Sequence, residues 1–315
     1  MNSELHQLLV KQRQKRVRRQ MTDFQPPRLA GPLIIVSAPR AGSTLLFETL
    51  ARFPDLWTIS EESHEIIEGI PDLHPAAHDY TSNRLTAADA TPPIITLLHD
   101  RFARQLQDRS SRHWSDLPEA ERPPSVRLLE KTPKNALRIP FLRAVFPDAR
   151  FIFLYRDPAA NISSILEGWQ SRRFIAYRAL PGWPHGAWSF LLTPGWEALR
   201  DRPLVEIAAH QWRVANETIL ADLDRLPRSD WRLVRYADLV ATPKQIIREV
   251  AAFADLRWDE EVEQLVSQAL PVSRVTLTTP APDKWRKHAA AMATVLPSVE
   301  GIVKQMAQRE IAARN

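Results

Sequence analysis

Residues 33–46 read LIIVSAPRAGSTLL, and this stretch decides the fold. The apolar, mostly β-branched start predicts a buried strand over Leu33–Ser37. Apolar residues at helical spacing from Leu45 to Phe53 predict a helix directly after it. A strand, a short turn and a helix therefore follow one another. The turn lies where unpaired N–H groups and the positive end of a helix dipole meet.

The turn carries donors suited to an anion. Gly42 allows a ligand to approach the backbone closely, and Arg40, Ser43 and Thr44 add side-chain donors, so the turn predicts an anion-binding cradle. The motif is not a Walker A loop, because the leading Gly and the Lys before Ser/Thr are missing. In a purely structural interpretation, Gly42 closes the turn and Ser43 or Thr44 caps the helix.

A second unit of the same kind begins with the apolar run Phe151–Tyr155. Arg156 ends this strand, Asp157 suits an N-cap, and Pro158 suits the first helical position. Arg156 and Ser164 could together bind a phosphate at the edge where open α/β sheets bind ligands. Alternatively, Arg156 pairs with Asp157 and Ser164 is solvated. The core stripe of the helix is predicted at Ile162, Ile165, Leu166 and Trp169, with Asn161 and Ser164 on the opposite side.

Strand and helix patterns alternate along the chain, which predicts an α/β protein with a mostly parallel central sheet flanked by helices. No Gly/Ser-rich linker interrupts the pattern, so residues 23–315 are expected to form a single domain after a basic leader at 1–22, helical or disordered. The predicted strands are Leu33–Ser37, Leu56–Ile59, Val126–Leu129, Phe151–Tyr155 and Trp231–Tyr236.

Composition excludes several classes of function. The 315 residues are 44% apolar and contain no cysteine, which excludes a disulfide framework, thiolate metal sites and a cysteine nucleophile. Apolar runs are too short to span a bilayer, so a cytoplasmic protein is expected. The net charge of +5 resides in residues 1–20, and the remainder is balanced at 36 basic and 36 acidic groups. No nucleic-acid partner is therefore expected, and the leader either contacts a membrane surface or is simply solvated.

The two units together resemble sulfotransferases that use 3′-phosphoadenosine 5′-phosphosulfate (PAPS). Residues 39–44 resemble their 5′-phosphosulfate loop, and Arg156-Asp-Pro-x₅-Ser164 resembles their 3′-phosphate site. The likeness is to a bacterial type, closer to tyrosylprotein than to cytosolic sulfotransferases. Weaker matches follow in the same order along the chain: Glu61-Glu62-Ser63-His64, Glu130-Lys131-Thr132-Pro133, Arg235-Tyr236-Ala237-Asp238-Leu239 and Lys284-Trp285.

The resemblance implies a P-loop-like sulfotransferase fold that binds PAPS and releases its 3′,5′-bisphosphate product (PAP). Arg40 stands where cytosolic members carry Lys, and His64 where tyrosylprotein enzymes carry Arg. The residues implied for cofactor binding are Arg40, Ala41, Gly42, Ser43, Thr44, Arg156, Ser164, Tyr236, Lys284 and Trp285.

Sulfuryl transfer places charge on the leaving oxygen, which donors of the turn, Arg40 and Lys131 are expected to stabilise without a metal. The resemblance makes Glu62 the predicted base, with His64 as the second choice. Strand-like alternation would place both on one side. In the competing interpretation, the acidic residues after position 60 begin a solvated helix.

The acceptor predicted from these features is a small-molecule hydroxyl, with an amine as second choice. The aromatic segment 168–196 either closes over that acceptor or forms a packed Ω-like loop. The chain is expected to be a monomer or homodimer. Two rival functions remain: a P-loop-like kinase, which would need Mg²⁺, and a non-catalytic nucleotide-binding protein.

Overall fold

A computed structural model describes residues 25–59, 61–278, 281 and 283–314, and the predicted leader therefore lies outside the described residues. Eight strands are found in this part of the chain. They are β1 Arg28–Leu29, β2 Leu33–Val36, β3 Leu56–Trp57, β4 Ser125–Lys131, β5 Arg150–Tyr155, β6 Ile175–Tyr177, β7 Trp188–Ser189 and β8 Trp231–Arg235.

Six strands form one sheet in the order β1-β4-β2-β5-β8, with β3 also paired to β4. Every pair in this sheet is parallel. Strands β6 and β7 form a separate antiparallel pair. The expected parallel α/β sheet is confirmed.

Helices cover the sheet and connect its strands. Among the described residues, none of them is both long and apolar enough to cross a bilayer. The helices are α1 Ser43–Leu50, α2 His64–Glu68, α3 Pro92–Ala103, α4 Ile139–Val145, α5 Pro158–Ser171, α6 Leu204–Leu223, α7 Tyr236–Ala241, α8 Pro243–Ala254, α9 Glu260–Val266, α10 Ala289–Val295 and α11 Glu300–Arg314.

Alternate side chains of the central strands enter two different cores. In β2 and β5, Ile34, Phe151 and Phe153 join one buried cluster. Ile35 and Ile152 join the other. Successive strand residues point to opposite faces, so these strands are buried on both sides, which explains why they are apolar throughout rather than alternating.

Strand β4 extends two residues beyond the predicted end at Leu129 and finishes at Lys131. Lys131 is paired in register with Ile35 of β2. Because the sheet is parallel, the carboxyl ends of β2, β4, β5 and β8 meet at one edge, where ligands bind in open α/β sheets. The strand pairing therefore brings Lys131 beside the turn that follows β2.

Candidate active site

The turn between β2 and α1 is tightly folded against the start of α7. Gly42 precedes α1 with a φ of 102°, in the left-handed region, and Arg40 has a φ of 63°. A Cβ added to Gly42 would lie 2.4 Å from two ring carbons of Tyr236. Both the backbone conformation and the neighbouring ring therefore require glycine here.

We expect Gly42→Ala to lower the free energy of unfolding by about 2–4 kcal/mol, because it adds a steric overlap to left-handed backbone strain. Urea denaturation measures this loss. Gly186→Ala is the matched control, since Gly186 has a φ of 80° but no atom within 4 Å of the added Cβ. The control carries the strain alone, so equal losses in the two variants would contradict the role assigned to Tyr236.

The second corner, between β5 and α5, is hydrogen-bonded to the first. Asn161 donates from Nδ2 to the carbonyl oxygen of Pro39 over 2.7 Å, and Arg156 donates from Nη1 to that of Arg40 over 3.0 Å. The prediction that the two corners lie together is confirmed. Asn161 was expected on the side of the helix opposite its core stripe, and the structure shows its side chain buried there against the turn.

The local signals at this corner behave as expected. Asp157 accepts a hydrogen bond from the Ala160 amide at 3.1 Å, which makes it the N-cap, and Pro158 is the first helical residue. The predicted stripe of α5 is buried. Ala160, Ser163 and Ser164 line the cavity, so this face of α5 is turned towards the site.

Donors are in excess where the corners meet. Neither Arg40 nor Arg156 forms an ion pair within the part of the chain that the structure describes. The buried Nε of Arg40 has no hydrogen-bond partner there, and the side chains of Ser43, Thr44 and Ser164 line the same cavity. Burial, together with the Arg156 charge, lowers the pKa of Arg40 to about 10. Two neighbouring cations without an ion pair in the described residues, beside three hydroxyl side chains that line the cavity, form a site that an anion would complement.

A second group of charges lies at the end of β4. Lys131 Nζ is 2.5 Å from Oε1 of Glu62, and His64 Nε2 is 2.8 Å from Oε2 of the same carboxylate. Burial acts to raise the pKa of Glu62, but the hydrogen bond with His64 and the Lys131 charge outweigh it, so the pKa is lowered to about 2. In this arrangement the carboxylate is ionised and engaged on both oxygens.

The contact between Glu62 and His64 arises differently from the prediction. No strand continues to these residues, because β3 ends at Trp57 and α2 begins at His64. The strand-like alternation is therefore wrong, and the idea of an acidic helix start is right for Glu65, which is exposed in the first turn. Glu62 itself turns inward.

The loop before α2 is anchored to the end of β4. Thr132 accepts a hydrogen bond from the Ser63 amide at 2.7 Å, and Glu130 accepts one from the Ser63 hydroxyl at 2.6 Å. Asn135 donates to the other oxygen of Glu130 at 2.5 Å. Because Ser63 lies between Glu62 and His64, these bonds fix both side chains relative to Lys131.

Sequence reasoning missed a third charged group. Lys134 Nζ lies 2.6 Å from Glu68 Oε2 and 3.0 Å from the hydroxyl of Tyr177. Arg138 donates to Glu68 Oε1 at 2.5 Å. The only signal was chemical: lysine is rare in this chain, and Lys134 follows Lys131 by three residues.

The remaining predicted residues differ in their surroundings. Lys284 is 2.7 Å from Glu167 of α5, so its charge is already paired. The Arg156 guanidinium lies over the Tyr236 ring, 4.7 Å from its centroid. Ala41 is buried within the turn, whereas Trp285 is partly exposed.

The aromatic segment 168–196 is packed and also borders the cavity, and its closing over an acceptor stays a prediction. Its tryptophans pack on one another, with Trp183 and Trp188 centroids 4.9 Å apart, as in a packed loop. Phe174 and Phe190 stack at 5.1 Å and line the cavity. The Arg40 guanidinium lies 4.5 Å from the Phe174 ring centroid. The segment therefore combines a packed interior with one surface that faces the site.

One cavity of about 1060 Å³ connects all three charged groups. Its volume is large enough for a nucleotide together with a second small molecule. The residues predicted from the sequence that line it are Arg40, Gly42, Ser43, Thr44, Glu62, His64, Lys131, Arg156, Ser164, Tyr236, Lys284 and Trp285.

Comparison with known proteins supports the resemblance drawn from the motifs. The family model described as "Sulfotransferase family" matches residues 32–260. Protein-tyrosine sulfotransferase A of Caenorhabditis elegans is 23% identical over 248 residues, 77% of this chain and 55% of that protein. Protein-tyrosine sulfotransferase of Drosophila melanogaster is 23% identical over 252 residues, 78% and 43% of the two chains. The chain spans about half the length of these curated relatives.

Among solved structures, the sulfotransferase domain from the curacin biosynthetic pathway is 18% identical, with a TM-score of 0.47. It covers 84% of this chain and 98% of its own.

Proposed function

The chain belongs to the sulfotransferase family, and from that premise we propose that it transfers a sulfuryl group from PAPS to a hydroxyl on a small-molecule acceptor. The observation that carries this proposal is the joining of the two corners by Asn161 and Arg156, in one cavity with Lys131 and Glu62. PAPS carries anionic groups at both ends and therefore requires two anion-binding positions in one cavity.

The residues present fit this donor. The 3′-phosphate end is assigned to Arg156 and Ser164, and the phosphosulfate end to the turn with Arg40, Ser43 and Thr44. The buried Nε of Arg40, which has no partner among the described residues, supports the assignment, because a hydrogen-bonding group left unpaired in a protein interior is costly unless a ligand satisfies it. PAPS supplies the activated sulfuryl group when bound. Tyr236 and Trp285 remain candidates for contact with its base.

The chemistry assigned to the protein is positioning and charge stabilisation. Lys131 and Arg40 face the position where negative charge develops on the leaving oxygen. Glu62 takes the proton of the acceptor hydroxyl, with His64 holding the carboxylate in place. The hydrogen bond with His64 and the charge of Lys131 keep the Glu62 carboxylate ionised, so that it is free of its own proton when the acceptor binds.

Direct assay tests the function. The full chain is incubated with sulfur-labelled PAPS and a panel of phenols, alcohols, amines and a tyrosine peptide. Label in a hydroxyl product supports the proposal, whereas tight binding of PAP with no label in any product would identify a nucleotide-binding protein instead.

A binding measurement tests the assignment of the 3′-phosphate. Arg156→Ala and Ser164→Ala should each weaken binding of PAP by about 10- to 100-fold, because each removes a donor to a charged phosphate. Binding of adenosine 5′-phosphosulfate, which lacks the 3′-phosphate, should change little. Isothermal titration calorimetry with both nucleotides makes the comparison, and equal losses for the two would refute the assignment.

A further inference from the structure

Five polar residues, four of them buried and one partly buried, form a cluster that the proposed transfer reaction does not use. The Lys134 cluster consists of Lys134, Glu68, Arg138, Tyr177 and Asn83. Lys134, Glu68 and Tyr177 line the cavity, and the Arg138 side chain behind them is fully buried. Asn83 Nδ2 lies 3.1 Å from Glu68 and 2.5 Å from the Tyr177 hydroxyl.

The Lys134 cluster contains more N–H donors than hydrogen-bond acceptors that they reach. An ammonium has three N–H groups, and Lys134 uses them on two partners, Glu68 and Tyr177, within the described part of the chain. Arg138 Nη1 is buried and also without a partner there. Burial raises the pKa of Tyr177, so the phenol stays neutral, and its single O–H is already directed at Glu68. The group that completes the cluster must therefore accept hydrogen bonds.

The charge of the cluster points the same way. One carboxylate, Glu68, lies between two cations, Lys134 and Arg138. Burial lowers the pKa of Lys134 to about 8, and the nearby cations lower that of Glu68 to about 2 against the effect of burial. The next carboxylate whose charge reaches Lys134 is Glu62, which Lys131 already neutralises. The buried set thus keeps a surplus positive charge that an anionic oxygen would compensate.

The position of the cluster relates it to the acceptor rather than to the nucleotide. The two corners follow β2 and β5, whereas Lys134 lies three residues after the end of β4 and within range of the Glu62 charge. Phe174, Phe190 and Leu191 line the same cavity with apolar surface. An acceptor there would have its hydroxyl near Glu62, an apolar body against these rings, and a second polar group at Lys134.

Resting on the sulfotransferase activity proposed above, we propose that Lys134, supported by Tyr177 and Glu68, binds an anionic oxygen group of the acceptor, such as a carboxylate, remote from its reacting hydroxyl. The acceptor class is then a hydroxyl compound with an apolar body and an acidic group. Neither an uncharged alcohol nor an amine of similar shape would satisfy the surplus donors of the cluster.

Matched probes test the acceptor class. The probes are 4-hydroxyphenylacetate and its methyl ester, 6-hydroxyhexanoate and its methyl ester, and tyramine as a cationic phenol. Two readouts are taken on each probe: kcat/KM for label transfer from PAPS, and Kd for the PAP-saturated protein by calorimetry. We expect each carboxylate to be preferred over its ester by about 10- to 100-fold, and tyramine to be the poorest phenol.

Lys134→Met should reduce the carboxylate-to-ester ratio to about one, and Tyr177→Phe should reduce it partly, because the phenol positions the ammonium. Using a ratio cancels any change in the folded fraction. Lys134→Met leaves Glu68 paired with Arg138, so neither remaining charge of the cluster loses its partner. Lys304→Met, at an exposed position of α11, is the matched control and should keep the wild-type ratio.

The two readouts separate this proposal from the proposed function. Equal binding and equal turnover of carboxylate and ester would overturn the acceptor class while leaving sulfuryl transfer intact. Selective binding of the carboxylate, lost in Lys134→Met, with no label transferred to any probe would support the Lys134 site and count against the transferase. If no probe binds and none is turned over, the acceptor class is overturned.

Discussion

Glu62→Gln should lower kcat by about 10²- to 10⁴-fold while the Kd for PAP stays within about threefold of wild type. Glutamine keeps the shape of the side chain and one acceptor oxygen, but its amide cannot take the proton. The two corners assigned to PAPS, Pro39–Thr44 and the turn after β5, follow other strands. The substitution should therefore leave the binding of PAP unchanged. Steady-state kinetics with labelled PAPS and calorimetry with PAP measure the two quantities.

The pH profile of the wild-type protein gives a second measurement on the same residue. A base works only when deprotonated, so its rate falls as pH falls through its pKa. Because His64 and Lys131 hold the pKa of Glu62 at about 2, kcat/KM should show no acid limb from Glu62 down to about pH 4. An acid limb of kcat/KM in the ordinary carboxylate range would contradict the assignment of Glu62, held by His64 and Lys131, as the base.

Two variants control for the base assignment. Glu65→Gln changes the exposed glutamate in the first turn of α2 and should leave kcat close to wild type. His64→Asn removes the ring that holds the carboxylate. If Glu62→Gln turns over normally and His64→Asn does not, the base is His64.

Lys131→Met should lower kcat by about 10²- to 10³-fold, because a buried cation at the leaving group acts where charge develops in the transition state. The Lys131 side chain is 5% exposed, so its charge acts with little screening by water. The substitution also removes the cation beside Glu62, so the pKa of Glu62 should rise. The acid limb of kcat/KM should therefore move upward into the measurable range.

These two effects of Lys131→Met are independent, which makes the prediction strict. Loss of folding would lower kcat but would not move the limb in the fraction that remains active. Lys304→Met provides the surface control. A kcat within about threefold of wild type, or a limb that does not move, would remove Lys131 from the assigned role.

The parts of the site that could be predicted were those with local signals. The turn before Ser43 and the Asp157 cap are each encoded within about ten residues, where a strand pattern changes to a helix pattern. Their meeting followed because parallel strands place their carboxyl ends at one edge. A pattern of apolar and polar residues was enough for this part of the fold.

Contacts between distant segments could not be predicted in the same way. The contact between Glu62 and His64 depends on where α2 begins, which Thr132 and Glu130 determine through Ser63 from another strand. The Lys134 cluster joins Glu68 and Tyr177, more than a hundred residues apart, and no sequence period indicates this pairing. The same holds for the bond from Arg40 to the Val275 carbonyl.

The bonds that join the two corners both end on main-chain oxygens, those of Pro39 and Arg40. Every amino acid offers the same carbonyl, so the joint does not depend on which side chains the turn carries. A substitution at position 40 during evolution, such as exchange between Arg and Lys, can therefore change the side chain that faces a bound nucleotide. The hydrogen bonds between the two corners stay in place.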